Sequence, residues 1–182
     1  MDMLEFADGT AWEAWLDANH AQQTEAWIRI GKRNGSLDLI GIGESLDGAL
    51  CFGWIDGQRR AYDENSFLQR YSPRRKASPW SQVNVGKVEA LAAAGRMRPG
   101  GIAEVEKAKA DGRWGAAYEP QRTAEPPPDL AAALANDPRA KTAFEGLGRT
   151  QRYAVILPLL KARTPESRAK VLTRELTRLA RP

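Results

Sequence analysis

Hydrophobic and polar positions change their period along this chain, and each change marks a predicted element. Trp12, Trp15 and Leu16 recur at helical spacing behind Thr10-Ala-Trp-Glu13. That tetrad is a capping box, in which hydroxyl and carboxylate each satisfy an orphan backbone N–H, so a helix is expected to about Ala18. Residues 26–32 alternate as a strand, and Asn34-Gly35 favours a tight turn that returns the chain over residues 37–40. The apolar run 46–54 reads as a helix stopped at Gly53, which reaches positive φ without a Cβ clash. Residues 58–62 and 67–71 flank Asp63-Glu64-Asn65-Ser66 and read as a β-hairpin.

The second half turns helical. Residues 82–94 form a helix ended by Gly95, with Val83, Val85, Val88, Leu91 and Ala92 on its apolar face. Another starts at Pro99 and repeats Ile102, Val105 and Ala108. PQRTAEPPP, residues 120–128, ends in three prolines that favour an extended, semi-rigid spacer. Beyond it, helices are expected from Pro128 or Asp129, from Asp137-Pro138, from Thr150 and from Thr164-Pro165, with Pro158 kinking or ending the third. Ala169, Leu172, Leu176 and Leu179 give the last helix an apolar stripe, and Lys170, Arg174, Arg178 and Arg181 give it a basic face. The expected fold is α+β: residues 1–118 form a domain with a small antiparallel sheet and packed helices. A proline-rich linker, 119–128, and an all-helical segment, 129–182, follow.

Composition narrows the class. The 182 residues are 42% hydrophobic and 27% charged, as in soluble globular proteins. No apolar run approaches the ~18 residues of a membrane span, and MDMLEFADG lacks the basic-then-apolar order of a signal peptide. A single cysteine, Cys51, has no internal partner and sits in an apolar run, which suits a buried thiol in a reducing cytoplasm. Charge is segregated: residues 1–57 carry ten acids against three bases, and residues 128–182 carry eleven bases against five acids.

Candidate chemistry concentrates near the hairpin. From Gln58 to Lys87 seven bases face only Asp63 and Glu64, an excess of five. The simple hairpin register sets Tyr62 opposite Phe67, Arg60 opposite Gln69 and Arg59 opposite Arg70. Opposed like charges repel by up to ~1 kcal/mol unless they share an anion, and a one-residue slip removes the pair. The next loop brings Arg74, Arg75 and Lys76 and ends at Trp80-Ser81 with Asn84 beyond. Arginine suits bidentate recognition of carboxylate or phosphate, and an indole beside it suits a ligand platform. Trp54, Asp56, Arg59, Arg70, Arg74, Arg75, Trp80 and Asn84 are therefore the candidate ligand-binding residues. A solvated basic loop and a structural salt bridge at Asp56 are the competing readings. Catalysis is not expected: His20 and Cys51 are one of each kind, too few for the usual zinc sites, and GxSxG and GxGxxG are absent.

ALCFGWIDGQRR, FLQRYSPRR, WSQVN and GRMRPGGIAEVEKAKADGRW, with AWEAWLDANHAQQTEAWIRIGKR before them and DPRAKTAFEGLGRTQRYAVILPLLKARTPESRAKV after, resemble the YdeI/OmpD-associated, or bacteriocin-protection, family across nearly the whole chain. That resemblance implies a bacterial protein linked to stress resistance, and it carries over no catalytic residue. The expected function is non-enzymatic, cytoplasmic binding of a small or extended anionic ligand, with no cofactor and no metal. Two other readings stand beside it. One is a nucleic-acid binder, disfavoured by the acidic front half. The other is a protein- or membrane-surface partner using the basic last helix.

Overall fold

The computed structural model describes residues 3–33, 35 and 37–180. Asn34 of the expected turn and Arg181 of the last basic face lie outside them. The chain divides into two compact units, Met1–Trp80 with Asn84–Ala116, and Ser81–Val83 with Ala117–Pro182. The fold is α+β, as the residue pattern indicates.

The first unit is built on β1 (Met3–Leu4), α1 (Gly9–Asn19), β2 (Ala26–Gly31), α2 (Ile42–Cys51), β3 (Trp54–Ala61) and β4 (Ser66–Pro73), followed by α3 (Gln82–Ala93) and α4 (Pro99–Ala110). The strands lie in the order β1-β2-β4-β3. The sheet is mixed and not purely antiparallel, because the two-residue β1 runs parallel to β2. Residues 37–40 make no returning strand. Instead Gly31 N donates to Ile40 O and Ile40 N donates to Phe6 O, which ties this segment back by single bonds. Helix α1 starts one residue before Thr10, because the Asp8 carboxylate accepts from Ala11 N and takes the capping role.

Register decides which residues reach the core. Ile28 pairs with Gln69 and Ala26 with Tyr71, so these share one sheet face; Trp27 pairs with Arg70 and Arg29 with Leu68 on the other. The first face meets α1 and α2. Trp12 tilts onto Tyr71 at 5.7 Å and donates its indole N–H to Ser45 O, while Ser45 Oγ lies 2.8 Å from the Tyr71 hydroxyl. Trp15 stacks on Trp12 and meets Trp54 edge-on at 6.2 Å. Burial pushes the Tyr71 phenol well above its ordinary value, so it stays a neutral donor and acceptor.

Close backbone approach locks α4 beside α2. Gly53 has φ +79° and breaks the chain after α2, as glycine there was expected to do. A Cβ on Gly101 would stand 2.2 Å from Cys51 O. Only glycine fits that crossing.

The helical unit holds α5 (Pro128–Asn136), α6 (Pro138–Gly146), α7 (Arg149–Lys161) and α8 (Pro165–Leu179). Leu130, Leu134, Phe144, Val155, Ile156, Leu159 and Leu179 form its core. Asp137 caps α6 through Arg139 N and Ala140 N, and Thr164 caps α8 through Ser167 N. Arg168 clamps Asp129 at 2.6 and 2.8 Å, tying α8 to α5. Pro158 does not end its helix; α7 runs through it to Lys161. On the basic face of α8, Arg174 and Arg178 both pair with the buried carboxylate of Glu175. The proline-rich stretch is fastened to these helices. Glu119 O accepts from the Tyr153 hydroxyl, Gln121 Nε2 donates to Thr150 Oγ1, and Ala124 packs on the core. Among the described residues, no helix is long and apolar enough to cross a membrane.

Gly101→Ala is expected to destabilise the chain by about 3 kcal/mol, the upper range for overpacking a tight site, because the clash is with backbone. Urea unfolding measures this, with Gly115→Ala, where a Cβ meets open space, as the control.

Candidate functional site

Around the hairpin, one buried amide sets the geometry. Gln69 is 1% exposed, and its Nε2 donates to Gly57 O and Gln58 O at 3.1 and 3.2 Å. Those carbonyls belong to a bulge between Asp56 and Arg59. The observed pairs are Ala61 with Phe67, Arg60 with Leu68 and Arg59 with Gln69, followed across the bulge by Asp56 with Tyr71. The expected opposition of Arg59 and Arg70 is therefore corrected by one residue. The turn spans Tyr62 to Asn65, because Asp63 Oδ1 accepts from Asn65 N and Ser66 Oγ and closes it one position early.

On the sheet face away from α1 and α2, the arginines meet carboxylates of their own unit. Arg70 Nε donates to Glu25 at 2.7 Å. Arg29 donates to Glu5 at 2.8 Å and to Asp63 at 2.5 Å, with its carbon Cζ 4.8 Å from the Tyr62 ring centroid. Arg60 lies over the Trp27 ring at 4.4 Å. Arg59 is on the opposite face, with Gln69, where it lies over Phe67 at 4.3 Å and donates to Gln69. The hydrogen bond from the Ser66 hydroxyl, with those from Asn65 N–H and Arg29, holds the Asp63 carboxyl at about 2, below its ordinary 3.8.

The expected aromatic platform is buried. Trp54 and Trp80 are 1% and 2% exposed. Arg74 is also buried, flat on Trp80 at 3.5 Å, with Nη1 donating to Pro79 O. Trp114 meets Trp80 edge-on at 4.8 Å, and buried Arg113 binds Asp111 and Ser78 O. Arg74, Trp80, Arg113 and Trp114 thus staple the 74–80 loop to the segment after α4. Of the candidate residues, Asp56, Arg59 and Arg75 are exposed, Arg70 and Asn84 are half-buried, and Trp54, Arg74 and Trp80 are interior. The structure does not gather them into one concavity. Cys51 is buried as expected, and burial pushes its thiol up to about 11.

A concavity that the residue pattern did not reveal lies in the helical unit. It has a volume of about 460 Å³. Arg122 and Glu125 reach it from the proline-rich stretch, Arg149 and Arg152 from the first turn of α7. Phe144, Leu147 and Ile156 form its apolar wall, and Gln121 and Tyr153 complete the polar side. Among the described residues, neither Arg122 nor Arg149 forms an ion pair with a carboxylate. Arg152 donates to Glu145 O and lies 5.8 Å from the Phe144 ring centroid. Burial holds the Tyr153 phenol above its ordinary range, so it remains protonated and donates to Glu119 O. Three cations and one carboxylate give this lining an excess of positive charge. The Arg149-x-x-Arg152 spacing was legible in the chain, but the folding of Arg122 onto it was not.

Comparison with known proteins separates the two halves. Residues 4–104, more than half of the chain, match the family described as Domain of unknown function (DUF8412). The chain belongs to the DUF8412 family. Residues 123–181 match the family described as Bacteriocin-protection, YdeI or OmpD-Associated, so that resemblance holds for the carboxy-terminal part. The motifs of the front half that suggested it over the whole length fall outside that match; most fall inside the DUF8412 one. No curated protein and no solved structure matches the chain. The cavity lies almost wholly within the YdeI/OmpD-associated match, with Gln121 and Arg122 just before it.

Two outcomes follow from this geometry. Trp80→Ala is expected to cost about 3–5 kcal/mol of stability in denaturant unfolding, as aromatic truncation in a core does. The depressed Asp63 contributes stability that is fully present above its unfolded value and lost as pH falls through its folded one, a window from 3.8 to about 2. Asp63→Asn is therefore expected to be less stable than the parent at neutral pH and to lose less across that window, read by urea unfolding at stepped pH.

Proposed function

We propose that this chain is a non-catalytic, cytoplasmic protein of bacterial stress resistance that binds a small anion, seated in the cavity under Arg122, Arg149 and Arg152. One observation carries the reading: three arginines and a single carboxylate, Glu125, line one concavity. The sheet face near the hairpin supports it less, because Arg29 and Arg70 there already have Glu5, Asp63 and Glu25. Guanidinium groups bind carboxylate and phosphate through paired N–H donors, and an apolar wall strengthens each such bond by excluding water. The titratable lining comprises arginines, a protonated phenol and one carboxylate, a set suited to holding an anion rather than attacking it. Binding without turnover fits a protective role, since a protein can protect by sequestering or sensing its ligand. A cytoplasmic setting fits Cys51, a lone buried thiol.

Inorganic phosphate tests the reading. A ligand that binds only the folded state raises thermal stability with concentration. Phosphate is expected to stabilise the parent chain, and Arg122→Gln with Arg149→Gln is expected to weaken that binding by ~1.5–3 kcal/mol for each charged hydrogen bond lost. Arg59→Gln with Arg60→Gln should leave the phosphate shift in place. No phosphate stabilisation of the parent, or an undiminished shift in the Arg122/Arg149 variant, would overturn the seat.

A further inference from the structure

The cavity has two chemically different sides, and the difference specifies more than charge. Arg149 and Arg152 are the first and fourth residues of α7, and Arg122 approaches from the stretch before α5. Ile156 follows Arg152 by one helical turn, and Phe144 and Leu147 come from the end of α6 and the connection after it. An anionic group held by these exposed arginines therefore has an apolar wall on one side.

We infer that the ligand is an organic phosphate monoester with a compact apolar body, its phosphate on Arg122, Arg149 and Arg152 and its body against Phe144, Leu147 and Ile156. This rests on the anion reading of the same cavity and adds the class of molecule. The charge argument selects a dianion. Glu125 answers one of the three guanidinium charges, leaving two for the ligand. A monoester phosphate above its second ionisation supplies two, whereas a carboxylate supplies one. Three acceptor oxygens also match three forked donors better than two do.

The apolar argument selects the body. Phe144 and Ile156 are buried members of the helical core, and Leu147 packs beside them half-exposed. A bare phosphate leaves the accessible part of Leu147 wetted; a ring or short alkyl chain removes that surface from water. At about 460 Å³ the cavity falls in the range of small-molecule sites and exceeds what one inorganic ion fills.

Calorimetric titration of the full chain with inorganic phosphate, phenyl phosphate and benzoate, at one ionic strength and slightly alkaline pH, tests this. Phenyl phosphate is expected to bind about tenfold or more tightly than either of the others. Leu147→Ala should erase most of the advantage of phenyl phosphate over inorganic phosphate. Arg149→Gln should weaken both phosphates. If the two phosphates bind the parent equally, the apolar body is wrong while the anion seat stands. If benzoate equals phenyl phosphate, the dianion is wrong. If none of the three binds, the anion reading itself falls, and this inference with it. The comparison among ligands uses the unmodified chain, so it holds even if a variant folds poorly.

Discussion

The front half of the molecule depends on where one buried amide can find acceptors. Gln69 faces the core between Ile28 and the hairpin's outer strand, and its amide N–H groups need partners there. The bulge at Gly57 and Gln58 turns two carbonyls inward to supply them. Once that bulge exists, every residue before it on β3 shifts against β4. Asp56 then falls opposite Tyr71, while Arg70, next to Gln69 on β4, lies on the other face opposite Trp27 and pairs with Glu25. An unsatisfied buried amide costs more than a typical bond returns, so the bulge is the cheaper arrangement.

The two units handle arginine in opposite ways. In the first, guanidinium groups are consumed by the fold: over Trp80 and Pro79, on Asp111, on Glu25, on Glu5 and Asp63. These are the uses that a plane with apolar faces and a polar edge allows. In the helical unit, Arg168 is used the same way on Asp129, whereas the arginines at the start of α7 line a concavity that holds one carboxylate. Local basicity along the chain thus marked where arginine is abundant, while the fold determines where it is available.

How much was legible follows from range. Helix limits set by glycine, proline and capping side chains depend on a few neighbouring residues, and Gly53, Gly95, Pro99, Pro128 and Pro138 mark the ends and starts as read. Strand register depends on residues far apart in sequence, and the Gln69 bulge left no local signal. Burial of Trp80 was likewise hidden, because its ring partner Trp114 lies more than thirty residues on. The proline stretch was read as a spacer from its stiffness. Its attachment to α7 through Glu119 and Gln121 comes from tertiary partners that stiffness does not report.

The contact between Gly101 and the Cys51 carbonyl has a use of its own. It holds α4 against the end of α2, over the single thiol of the chain, which is buried and protonated at neutral pH. Only the thiolate attacks thiol reagents, so this sulfur is silent until the helices part. The rate at which it becomes modified therefore clocks the opening of the first unit by itself, whatever the helical unit is doing. Nature has left one native, single-position stopwatch in the first unit.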